Sequence, residues 1–172
     1  MTRTTKWAMA IASVAALGSA LPANAMQFGP EAMVYEPTPN PDRARALRLQ
    51  AEELYSQPKH WKKAARLLEQ SAALREANDP DTYTCLMYAG RLRAAVNDLP
   101  AARANLEKAA THAISRGAVI EAAHALIDAA HVASAEKDVA AAREFVRRAA
   151  LLAESPLLSA EQKNVINARL KA

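Results

Sequence analysis

Apolar and small residues recur along this chain at helical spacing, and three stretches carry the same arrangement. They are Trp61–Ala64–Leu68–Ser71, Leu99–Ala102–Leu106–Ala109 and Val139–Ala142–Val146–Ala149. Each sets a large apolar residue first, a small one three positions later, an aliphatic four after that, and a small one three further on. That spacing keeps all four on one helix face. The second copy begins 38 residues after the first and the third 40 after the second. A period near 40 predicts stacked helical pairs, an all-α solenoid.

Capping and breaking residues divide the chain into seven predicted helices. Asn40-Pro41-Asp42 opens helix one, over about 41 to 56. Pro58 closes the turn, and helix two covers about 59 to 76. Asp79-Pro80-Asp81 opens helix three, about 80 to 96, and Asp98 caps helix four, about 99 to 115. Gly117 suits a left-handed helix end. Helix five then covers about 118 to 136, and Asp138 caps helix six, about 139 to 153. Ser159 with Gln162 forms a capping-box pattern before helix seven, about 160 to 171. A stack of helix pairs ends on an open apolar face. Leu157, Val165, Ile166 and Leu170 are placed to cover it, with Glu161, Lys163, Asn164 and Arg169 toward water.

The first 25 residues read differently. Arg3 and Lys6 precede a largely apolar run from Trp7 to Leu17, and Ala23-Asn24-Ala25 follows Pro22. This is the layout of a secretory signal peptide cleaved after Ala25. The apolar run is shorter than the roughly 20 residues a bilayer-spanning helix needs. The expected location is periplasmic or secreted, with no membrane insertion after cleavage. Residues 26–40 contain three prolines and read as an extended leader. The helical domain is 41–172.

Composition narrows the function classes. Hydrophobic residues make up 51% of the chain but aromatics only 5%, so alanine supplies much of the apolar count and many helices must share one core. The chain carries 22 Lys and Arg against 18 Asp and Glu. Loss of Arg3 and Lys6 with the signal leaves +2, too little for a nucleic-acid binder. Cys85 is the single cysteine, which excludes an internal disulfide, and its helical position predicts a small buried apolar residue. No nucleophile elbow, phosphate loop or paired CxxC motif occurs, so no enzymatic activity and no cofactor are expected.

The three repeated stretches resemble tetratricopeptide repeats. In that family the second helix of each pair carries a small–aliphatic–small pattern, matched here by Ala64–Leu68–Ser71, Ala102–Leu106–Ala109 and Ala142–Val146–Ala149. Ala51 with Leu54 and Ala89 with Leu92 resemble the first-helix pairing, and Ala130 with Ala133 is a weaker match. The resemblance covers 41 to about 153. The repeats exceed the family's 34 residues, and Glu76, Ile114 and Glu154 stand where a closing proline is common. The resemblance implies three helix-turn-helix repeats plus a C-terminal capping helix. It also implies a concave face, lined by the first helices, that receives a peptide or partner helix.

Carried over by register, that face would present Arg48, with Arg45 and Tyr55, from the first repeat. The second would give Tyr83, Met87 and Arg93, or Arg91 if no extra turn residue is inserted. The third would give His124, Ile127, Asp128 and His131. The lysines and asparagines that some members use to clamp a terminal carboxylate are absent at these places. Glu121, His124, Asp128 and His131 share a helix face, but the two histidines stand about 10.5 Å apart along the axis. One metal ion cannot join them without a ligand from another helix, such as His112, so no metal site is expected. Trp61 reads as a packing anchor, and Arg143 to Arg148 as a solvated basic face. The expected function is a protein-interaction scaffold. Two alternatives stand beside it: a self-associating structural protein whose leader fills its own groove, and a helical protein that binds a metal or small ligand.

Overall fold

A computed structural model describes residues 38–171, and these contain seven α-helices and no strand. They are α1 (Pro41–Glu52), α2 (Trp61–Ala73), α3 (Pro80–Ala95), α4 (Leu99–Ser115), α5 (Val119–Ala135), α6 (Val139–Ala153) and α7 (Ala160–Leu170). A short 3-10 turn, Pro58–His60, precedes α2. The predicted signal peptide and most of the predicted leader lie outside the described residues. No described helix is long and apolar enough to cross a membrane.

Each helix packs on its neighbours in the chain. Alternate helices meet as well: α5 touches α3, α4, α6 and α7. Alanine makes this possible. Ala102, Ala109, Ala110, Ala122, Ala123 and Ala129 are all completely buried, and a methyl group lets two helix backbones approach closely. Gly90 marks a tight point between α3 and α4. A Cβ there would stand 2.7 Å from Leu106 Cγ and 3.2 Å from the Ala102 carbonyl oxygen. One large apolar cluster runs from α3 to α7, and a smaller one joins α1, α2 and α3 around Ala51, Leu68, Cys85 and Ala89.

Three helix ends share one geometry. Asn97, Gly117 and Lys137 follow α3, α4 and α5 with φ of 59°, 72° and 64°. In each case the next N–H donates to a carbonyl five residues back: Asp98 to Arg93, Ala118 to Ala113, and Asp138 to Ala133, each at 2.9 Å. This bond closes the last turn and satisfies a carbonyl the helix leaves open. The next helix starts two residues after each left-handed residue.

Helix starts follow the expected caps in four places. Asn40 accepts from the Arg43 N–H, Asp79 from Asp81, and Asp138 from Ala141, and Ser159 with Gln162 forms a full capping box. Asp98 departs from expectation: it makes no cap bond, because Arg93 Nη1 holds its carboxylate at 2.8 Å. Helix one stops at Glu52 rather than near 56, since the Trp61 indole N–H takes the Tyr55 carbonyl at 2.8 Å and the chain turns there. At the C-terminal end Ile166 is fully buried and Leu158 nearly so, whereas Leu157 is 75% and Val165 45% exposed. The cover over the last pair therefore comes from Leu158, Ile166 and Leu170, not from Leu157 or Val165.

Candidate functional site

Polar residues on and beside the odd-numbered helices form two separate groups of ion pairs. Arg48 on α1 meets Asp81 at the start of α3 at 2.8 Å, and also Glu52 at 2.9 Å. Burial lowers Arg75's preference for charge, yet the Asp79 and Asp81 carboxylates outweigh it and hold the guanidinium charged. Further along, Asp128 of α5 accepts from two arginines. Arg91 of α3 reaches Oδ2 at 2.8 Å, and Arg169 of α7 reaches Oδ1 at 2.5 Å. One carboxylate thus joins three helices, and two guanidiniums against one carboxylate leave net positive charge and N–H donors not used by Asp128.

Beside this junction lies a cleft of about 270 Å³ between α3, α4 and α5. Ala94, Leu106 and Val132 form its apolar part, and Arg91, Asp128 and His131 its polar part. His131 is exposed, and Arg91 keeps half of its side-chain surface in solvent. A second opening, about 550 Å³, lies along α1 and the start of α3 and includes Arg45, Arg48, Leu49, Glu52 and Asp81.

His124 sits deeper. Burial, helped by the Arg169 charge, pushes its imidazole below the usual histidine range against the pull of Asp128. Its Nε2 is buried with no hydrogen-bond partner among the described residues. Burial pushes the nearby Tyr83 hydroxyl up to about 12, so it stays protonated as a donor.

The structure thus gathers Asp128 and His131 on one cleft, with His124 and Tyr83 close to the Arg91–Asp128–Arg169 junction. Arg48 lines the other opening. Two expected positions fall elsewhere. Met87 is only 5% exposed and belongs to the large core, so it offers no surface. Arg93 turns to the opposite side, donating to Glu69 at 2.8 and 2.9 Å and to Asp98 at 2.8 Å. Asn105 of α4 donates to the same Glu69 at 2.8 Å. Arg91 holds the place by Asp128, as expected for a register with no inserted turn residue. Arg169, expected toward water, was missed as the third member.

His112 does not approach His124; its Nε2–H donates to the Asp79 carbonyl at 2.9 Å. Among the described residues no three His, Cys, Asp or Glu side chains converge in a way that could hold a metal ion. Cys85 is buried, with its Sγ 3.5 Å from the Ser71 hydroxyl. No protein-family model, curated protein or solved structure matches the chain.

Proposed function

We propose that α1–α2, α3–α4 and α5–α6 are three tetratricopeptide-like pairs closed by α7, and that the chain is an exported scaffold. On this reading the α3–α5 cleft and its neighbours hold a peptide or helix of another protein. One observation carries the proposal: a cleft whose rim of Arg91, Asp128 and His131 stands beside the half-buried Ala94, over a base closed by the buried Leu106 and Val132. The opening receives one small apolar side chain of a partner, and the polar rim supplies most of the contact and fixes its orientation. Because Asp128 is already held by two arginines, the rim's remaining valence is mostly donor. The favoured ligand is a segment with one apolar anchor flanked by carbonyl or carboxylate acceptors.

Selection of a random peptide library on the mature chain tests this. Enriched peptides should share an apolar anchor beside an acidic residue. They should bind at least about tenfold more weakly after Arg91→Glu or His131→Glu, and unchanged after Lys108→Glu on the outer side of α4. Enrichment that ignores both cleft variants, or no enrichment, would rule the reading out.

A further inference from the structure

The stripe Leu99–Ala102–Leu106 on α4 has a counterpart forty residues later on α6, Val139–Ala142–Val146. The two stripes meet different fates. On α4 it lies between α3 and α5, with Leu106 and the Ala102 carbonyl against Gly90 of α3, and Ala102 and Leu106 are at most 1% exposed. The same stripe on α2 lies between α1 and α3, with Ala64 and Leu68 equally buried. On α6, Val139 is 57% and Val146 41% exposed. The reason is length. The covering helix α5 has 17 residues, whereas α7 has 11 and ends at Leu170. Since α7 follows α6 through a short turn, it covers the later part of α6 and leaves the first two turns open. There a cleft of about 440 Å³ is lined by Ser134, Val139, Ala142, Arg143, Val146 and Arg147.

The covered stripe also shows what the end of the covering helix must carry. Arg103, one position after Ala102, pairs with Glu136 at the end of α5 at 3.1 Å and with Asp138 at 2.8 Å. Arg143 stands at the same place after Ala142, exposed and without an ion pair among the described residues. We infer that the open half of α6 docks a helix of another protein. That helix would bear small apolar residues on one face and acidic residues in its last turn, running as α5 runs on α4.

The probe for this surface is a helix-constrained, fluorescent peptide with the sequence 126–138 of this chain, which makes the corresponding contact on α4 and ends in Glu136 and Asp138. Circular dichroism first establishes that it is helical and that the surface variants remain folded. The peptide should bind the mature chain saturably, and Arg143→Glu or Val146→Asp should weaken it at least about tenfold. A peptide with Glu136→Lys and Asp138→Lys should recover binding to the Arg143→Glu chain. A helical peptide that fails to bind at about 1 mM, or binding indifferent to both variants, overturns the inference. So does sedimentation showing a dimer that Val146→Asp dissolves, since a second copy then covers the stripe. Binding that appears only after deletion of residues 26–37 assigns the stripe to the chain's own leader and also overturns it.

Discussion

The turns after α3, α4 and α5 are close copies of one another, whereas the passage from α1 to α2 is built differently. In the first group a left-handed residue and one backbone bond reverse the chain, and alanines do the packing. The α1–α2 passage uses side chains instead. Trp61 holds the Tyr55 carbonyl, Tyr55 stacks on Tyr88 with ring centroids 5.8 Å apart, and the buried Ser71 hydroxyl donates to the Ala44 carbonyl at 2.7 Å. Backbone-closed turns tolerate almost any surface residue outside the left-handed position. A turn held by side chains depends on each of them. The regular part should therefore break through steric crowding, and the first pair through loss of an anchor.

The largest effect should come from crowding. In Gly90→Ala the new methyl meets both Leu106, which is fully buried, and the Ala102 carbonyl, which is backbone. Neither has room to retreat, so we expect a loss of about 3 kcal/mol. Urea unfolding should show a lower midpoint at unchanged slope. A midpoint within error of wild type would mean that α3 and α4 separate easily, contrary to the close packing described.

Next comes the anchor. Trp61→Ala removes a half-buried ring and its hydrogen bond, and should lower stability by about 2 kcal/mol. The effect should also be local. Because α1 and α2 share their own small apolar cluster with α3, amide exchange should quicken in α1 and α2 while α5 and α6 keep their protection. Uniform loss of protection would show that the two regions unfold as one.

Much of this architecture was readable before any coordinates. Helices three to seven lie within about a residue of the expected bounds, because proline, glycine and capping side chains mark their ends. Helix one ended early and helix two began late because a contact six residues long, Trp61 to Tyr55, has no local sequence signal. The candidate site was less legible. Helix α3 buries Cys85, Leu86 and Met87 in succession, so its apolar positions define no single face and the groove register stayed open. That ambiguity sent Met87 into the core and Arg93 to Glu69. Arg169 escaped notice because its partner is 41 residues away. The spare valence of Asp128 on an alanine-rich helix was the available clue.

The left-handed positions sharpen the comparison at smaller magnitude. At Gly117 an added Cβ meets nothing within 4 Å, so Gly117→Ala isolates backbone strain, expected at about 1 kcal/mol. Lys137 already bears that strain, and Lys137→Gly should raise stability by somewhat less, about 0.5 kcal/mol, since glycine also frees the unfolded chain. Opposite signs at two equivalent turns, read as thermal midpoints, are the requirement. The same sign at both would mean that the turns are not equivalent.

An equally small effect concerns Glu69, where the two regions meet. Burial pushes its carboxyl upward, but hydrogen bonds from Arg93 and Asn105 outweigh this and hold it below the usual range. A carboxyl more acidic in the folded than the unfolded chain adds stability above its ordinary pKa. That stability is lost as pH falls through the lower folded value. Glu69→Gln should therefore destabilise at neutral pH by only about 0.5 kcal/mol, since the group is partly open to solvent. The gap from wild type should narrow as pH falls through the lowered folded value, since both chains then carry an uncharged group there. A gap that stays constant would place Glu69's contribution in packing rather than charge, and the bridge between α2 and α4 would then rest on Asn105 alone.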